Sequence, residues 1–206
     1  MTPSPEPPER SVEVERTYDV DLGASLPDWR ALPEVSDVED REIRHLDAVY
    51  FDTADAALAR AGVAVRRRSG GPDEGWHVKI GAGERRIEWR WPLSAGREVP
   101  APVAEAVARW SREPLTELAR IRNERHAYAL LARDGARVAE VADDHVRAVA
   151  VRTGREQHWR EWEVERGPGC DPAGSEEFFR AVDRLVTAAG GRPAAVDSKL
   201  GRALSG

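Results

Sequence analysis

The chain has 206 residues, 41% hydrophobic and 33% charged, and its 31 basic and 37 acidic side chains leave a net charge of -6. That make-up describes one globular domain with a single good core, and no apolar run approaches the roughly 18 residues a membrane-spanning helix requires. The small net charge leaves room for strong local fields of either sign, so distribution matters more than the sum.

Residues 1–10, MTPSPEPPER, are rich in Pro and Glu and lack the basic and apolar regions of a signal peptide, so they read as a flexible tail on a cytoplasmic chain. Residues 11–206 read as one domain. It opens with Ser11 to Val20, SVEVERTYDV, which alternates as a β-strand: Glu13 and Glu15 share one face, and Val12, Val14, Tyr18 and Val20 the other. A short helix between Pro27 and Pro33 and an acidic connector from Glu34 to Asp40 lead to a second strand, Arg41 to Phe51. Asp52 or Thr53 is placed to cap a short helix over residues 54–62, which Gly62 ends.

Strands follow from Val63 to Ser69, Gly75 to Ile80 and Arg85 to Leu93, with turns at Gly70-Gly71 and Gly81/Gly83, as in an antiparallel meander. Their repeated charge is positive. Arg66 shares a face with Arg68, His77 with Lys79, and Arg86 and Arg90 with the Glu88 between them, whereas Ile87, Trp89 and Trp91 take the opposite face and read as packing under helices. His77 itself reads as a half-exposed spectator. Next comes a helical section, with Pro102 in its first turn and Val103, Val107 and Trp110 at helical spacing, continued by Leu115 to Ile121.

A long hairpin runs from about Arg122 to Leu131, turns at Arg133-Asp134-Gly135 and returns from Val138 to about Val151. The strand from His158 to Arg166 brings the count to about eight. In it Glu161, Glu163 and Glu165 share one face opposite Trp162 and Val164, so the acidic pattern of the first strand returns. Trp159 reads as packed. Ser175 is expected to cap a last helix, with Glu176 and Glu177 in its first turn, an apolar stripe of Phe178, Val182, Leu185, Val186 and Ala189, and a stop at Gly190-Gly191. Lone Cys170 has no disulfide partner, and His45, His126, His145 and His158 show no ligand spacing along the chain. Lys79 and Lys199 are the only lysines, and in a chain otherwise committed to Arg they hint that a compact ammonium is wanted there.

One charged face on one strand is ordinarily the solvated side of an antiparallel sheet. Acidic strands at the two ends of the domain, with basic strands between, can instead close edge to edge and bring both signs into one interior. The expected fold is therefore α+β, an eight-stranded antiparallel β-barrel with covering helices. Arg, Lys and Glu enclosed in such a tunnel require a polyanion and a cation, and a metal-bound phosphate chain supplies both. No internal repeat, zinc spacing, Gly-rich phosphate loop or Gly-x-Ser-x-Gly elbow is present. The basic residues are matched by acids on neighbouring strands, so nucleic acid is not the expected partner.

In their order the motifs resemble the CYTH, or triphosphate tunnel metalloenzyme, superfamily. Glu13 and Glu15 match its opening Glu-x-Glu-x-Lys, Tyr50-Phe51-Asp52-Thr53 resembles its next landmark, and Arg66-Arg67-Arg68 its Arg-rich strand. Lys79, Glu88 with Arg90, Arg125, Asp144, Glu161-Trp162-Glu163 and Ser198-Lys199-Leu200 resemble the later ones, with Asp143 competing for the place of Asp144. The resemblance implies that Glu13 and Glu15 are catalytic and that, with Asp144, Glu161 and Glu163, they hold one or two Mg²⁺ or Mn²⁺ ions. It implies that Arg66, Arg68, Lys79, Arg90, Arg125 and Lys199 bind phosphate, and that the activity is metal-dependent release of phosphate from inorganic triphosphate or a related triphosphate-containing small molecule or polyphosphate. Thr17 stands where the signature has its lysine. Two further readings stay open: a class IV-type adenylyl cyclase, with Trp159 stacking a base, and a non-catalytic module that binds polyphosphate or a nucleotide. Substrate, metal preference and oligomeric state are not legible.

Overall fold

The computed structural model describes residues 7–81, 85–169, 174–196 and 198–205, so Gly83 and Cys170 lie outside the described residues. In chain order these form β1 (Glu9–Val20), a 3-10 turn (Trp29–Ala31), β2 (Asp37–Val38), β3 (Glu42–Asp52), α1 (Ala57–Arg60), β4 (Val63–Ser69), β5 (Gly75–Ile80) and β6 (Arg85–Trp91). Then follow α2 (Ala101–Val107), β7 (Thr116–Leu131), β8 (Arg137–Ala150), β9 (Arg155–Arg166), α3 (Ser175–Ala188), β10 (Arg192–Pro193) and α4 (Lys199–Leu204). Eight strands pair in the order β1-β6-β5-β4-β3-β7-β8-β9, and β9 returns to β1, closing an antiparallel barrel. The closure is made by the two halves of β1: Glu9–Val14 pairs with β6, and Glu15–Val20 with β9.

Register then sorts the side chains. Cross-strand partners point to the same face of a sheet, so the pairs Glu13↔Arg86, Lys79↔Glu88, Arg66↔His77, Arg125↔Asp144, Asp144↔Glu161 and Thr17↔Glu163 line up one continuous face. That face is the inside of the barrel. The alternate residues form the outer wall, which is why much of the apolar core lies outside the barrel, between its wall and the covering helices.

On one side Phe178, Phe179, Val182 and Val186 of α3 bury Tyr18, Val141, Trp162 and Val164. Arg16 and Tyr18 both donate to Asp183, at 2.5 and 2.6 Å, and tie β1 to that helix. On another side Val103 and Val107 of α2 pack on Trp76, Val78 and Trp91, with Leu58 of α1 in the same cluster. A third cluster closes one end of the barrel, where Leu200 and Ala203 of α4 meet Tyr50, Ile121 and Trp159.

Four expectations are corrected. Leu115 to Ile121 does not extend a helix: Thr116 to Ile121 are strand, paired with β3 and later with β8. Leu, Glu, Ala and Arg favour a helix in isolation, but two flanking strands offer this segment hydrogen bonds on both edges, and tertiary pairing overrides the propensity. Ser175 is the first residue of α3, not its cap. Gly174 precedes it without a side-chain capping bond, and the first turn has Glu176 and Glu177 near its positive end. His77 is fully buried, not half-exposed. The first strand also begins two residues earlier than expected, with Glu9 and Arg10 paired to Arg90 and Trp89.

Candidate functional site

At the end of the barrel closed by α4, three carboxylates converge. Asp144 and Glu161 are register partners on β8 and β9, Glu163 lies two residues further along β9, and ligand oxygens of all three fall within 4.8 Å of one another. The ammonium of Lys199 sits among them, 2.5 Å from Glu161, 2.6 Å from Glu163 and 2.8 Å from Asp144. Its approach to Glu161 Oε1 is a charge contact without hydrogen-bond geometry. Arg125 adds a fork onto Asp144, at 2.8 and 2.7 Å, and a further bond to Glu163.

Burial alone would raise the carboxyl of fully buried Asp144, yet the charges of Arg125 and Lys199 bring it far below the usual carboxylate range. Glu163 is lowered in the same contest, with burial opposed by Lys199 and Arg125. In Glu161 burial prevails over Lys199, and the carboxyl is raised. This donor set consists of hard oxygens around a cation, the chemistry that suits Mg²⁺ or Mn²⁺, and the three residues present therefore fit a divalent ion.

Opposite stands a cationic wall. Arg66 donates to Glu88 at 3.3 Å, and Arg68 is paired with Asp73 and donates to its carbonyl at 3.2 Å. Lys79 donates to Glu13 at 2.6 Å, and Arg86 to Glu15 at 2.7 Å. Buried His77 bridges Glu88, 2.9 Å from Nδ1, and the Asp73 carbonyl, 3.0 Å from Nε2. Burial, and then the neighbouring Arg66, push its imidazole down to about 3 against the opposing pull of Glu88. Burial, followed by Arg66 and Arg125, pushes Arg68 down as well. A guanidinium does not deprotonate in a protein, so this pressure measures how strongly that corner favours an anion.

A cavity of about 330 Å³ lies between the two walls. Of the residues singled out from sequence, Glu13, Glu15, Arg66, Arg68, Lys79, Arg125, Glu161, Glu163 and Lys199 line it, and Thr17 lines it with them. Asp144 lies directly behind this lining, bound to Arg125 and Lys199. Arg90 is not in the lining: it pairs with Glu9 near the start of β1. Asp143 points to the outer wall, where Arg160 binds it through Nε at 2.7 Å and Nη2 at 2.9 Å. Trp159 is buried and donates to Glu161 at 2.5 Å.

Two charged strand residues of the lining, Arg86 and Glu165, were not among the sequence candidates. Alternation placed both on charged faces, but only the closing register of β1 shows that they reach the first-strand acids. Glu165 is pushed up to about 7, first by burial and then by Glu13 and Glu15. A second cavity of about 250 Å³ shares Leu46, Arg68, Asp73, Arg125 and Glu165 with the first, and together they run along the barrel as a tunnel.

Comparison with known proteins places this geometry. A family model for the CYTH domain matches residues 11–173. A protein of Mycobacterium tuberculosis, in strains H37Rv and CDC 1551, is 39% identical over 210 residues, and the match takes in 96% of this chain but 41% of that protein's length. Among solved structures, a Bacillus halodurans protein described as a candidate adenylate cyclase superposes with a TM-score of 0.63 at 16% identity, covering 95% of this chain and 99% of its own. A Hippeastrum protein, described as a candidate adenylyl cyclase with a dominant triphosphatase activity, superposes with a TM-score of 0.54 at 14% identity, covering 93% and 94%.

Proposed function

Because the chain belongs to the CYTH domain family, we propose that its tunnel binds inorganic triphosphate or a related triphosphate-containing substrate and releases phosphate from it with the help of Mg²⁺ or Mn²⁺. The observation that carries this reading is the pairing across one cavity: three carboxylates gathered around an ammonium, facing a wall of arginine and lysine.

Asp144, Glu161 and Glu163 would hold the ion. An ion of that class, when bound, neutralises charge on the phosphate chain and supplies Lewis acidity. Lys199 is now the counter-ion of those carboxylates and would turn its charge to phosphate oxygens, beside Arg125. Arg66 and Arg68 have the fork geometry for bidentate phosphate contacts, and Lys79 acts as a point charge between them and Glu13. Burial raises the Glu13 carboxyl, Lys79 lowers it and Glu88 raises it again, with a net upward shift. Glu13 is accordingly suited to take a proton from an attacking water, with Glu15 beside it. Thr17 offers a hydroxyl but no charge where the family signature has lysine. Arg86, reaching Glu15 from the neighbouring strand, supplies the missing positive charge on that side of the cavity.

The reading is tested by phosphate release from inorganic triphosphate, ATP and thiamine triphosphate with Mg²⁺ or Mn²⁺, alongside Glu13→Gln. Turnover in the wild type, reduced at least about a hundredfold by the substitution, is expected of a general base. Full activity in Glu13→Gln would contradict its assignment. Cyclic AMP formed from ATP would identify a cyclase instead, and triphosphate binding without turnover a binding module.

A further inference from the structure

The outer wall of the barrel carries a second group of ligand-type side chains that the tunnel chemistry does not use. Along the chain the histidines show no metal spacing. Across the sheet they do, because His126 on β7 is the register partner of Asp143 on β8, and His145 lies two residues beyond Asp143 on the same outward face. We propose that His126, Asp143 and His145 form a surface site for a divalent transition metal of the zinc class, independent of the tunnel.

Three observations support it. His126 Nδ1 and His145 Nε2 stand 4.0 and 3.7 Å from the same oxygen, Asp143 Oδ2, and one ligand atom from each of the three residues falls within 4.8 Å of the others. The imidazole rings lie 5.1 Å apart, tilted by 47°. A tetrahedral zinc with bonds of about 2.0–2.1 Å needs ligand atoms about 3.3 Å apart, so the two edges to Asp143 must close by about half an ångström and the edge between the imidazoles by at most about 1.5 Å, which χ rotations of the two partly exposed histidines supply.

The surroundings are also those of a metal site. The other nitrogen of His126, Nε2, is 3.0 Å from Glu124 Oε1, an arrangement in which a carboxylate fixes the tautomer and raises the basicity of a ligating imidazole. Asp143 is held in place by the Arg160 fork, and an ionised carboxylate oxygen has capacity for a further partner. The ligand types separate the two centres. Two imidazoles and one carboxylate favour zinc, cobalt or nickel, whereas the tunnel offers oxygen alone.

Metal-stripped protein is titrated calorimetrically with zinc sulfate, and with cobalt(II) while visible absorption reports nitrogen ligation. One equivalent of zinc is expected in the wild type and in the tunnel variant Glu161→Gln/Glu163→Gln, and none at the outer site of His126→Ala/His145→Ala. Glu124→Gln should weaken binding by about 10–100-fold, as loss of an orienting carboxylate does. Zinc binding unchanged in the double histidine variant, or absent from the wild type, overturns the proposal. If circular dichroism shows that the double variant is unfolded, His145→Gln at its half-exposed position carries the same comparison. The tunnel variant makes the result independent of whether the barrel turns over triphosphate.

Discussion

Thr17 is the residue at which this chain departs from its family's opening signature, and Arg86, which lines the same cavity, is the cation proposed to answer it. Arg86 occupies β6, opposite Glu13, and reaches Glu15. If it supplies the missing charge, Arg86→Gln lowers kcat/KM for triphosphate about tenfold or more, equivalent to at least about 1.4 kcal/mol. Thr17→Lys should then recover a large part of the loss in the double variant, a non-additivity expected of residues that share one ligand. Equal losses with and without Lys at position 17 would contradict the exchange.

Glu165 gives a second prediction with a definite sign. Its folded value of about 7 lies above the ordinary 4.5. Between those values the folded protein keeps a proton that the unfolded chain has lost, so stability falls as pH rises through that window and stays lower above it. Ligand-free Glu165→Gln should melt above the wild type at pH 8, with the gap narrowing towards pH 4.5. A gap that is constant with pH would contradict the assignment. Most of the interior charges were legible from alternation alone, including Glu13, Arg66, Lys79 and Glu163. Asp144 against Asp143 was not, because alternation gives two possible phases and only the pairing to Arg125 and Glu161 selects one.

At the scale of elements, local chemistry explains the short helices. α1 is a single turn whose first amides would be left open without outside acceptors. Asp52 accepts from the amides of Leu58 and Ala59, at 3.0 and 2.9 Å, and Thr53 Oγ1 accepts from Ala57 at 2.9 Å. Asp52→Ala should destabilise the fold by about 1–3 kcal/mol in denaturant unfolding, because buried donors lose their partner. A change below about 0.5 kcal/mol would show that α1 is held by Leu58 packing alone. At the other end of the chain, Ser198 caps α4 by accepting from the Gly201 amide, and Gln157 donates to the carbonyls of Arg202 and Ala203. With Leu200 buried against the barrel, the helix has one seat, and that seat aims Lys199 at the three carboxylates. The sequence showed the Ser-Lys segment but not where it docks, since six residues of helix carry no information about their distant partner.

For the whole molecule the governing fact is charge. A barrel interior this ionic is costly to enclose unless its charges meet partners, and in the ligand-free chain many of them pair within each wall. Lys79 pairs with Glu13, Arg86 with Glu15, and Lys199 with Glu161 and Glu163, and under the proposed function these are the contacts that phosphate or metal would replace. Strand number and the opposition of acidic and basic faces could be read before any coordinates. Closure into a barrel was expected from that opposition, but the way it is made was not legible, because β1 divides its pairing between β6 and β9, a long-range choice invisible to local periodicity. The most direct test of the resulting account is phosphate release from inorganic triphosphate by the wild-type protein before and after chelation with EDTA, and again after Mg²⁺ or Mn²⁺ is restored. The account predicts turnover that disappears with the metal and returns with it. Turnover that persists unchanged in EDTA would contradict it.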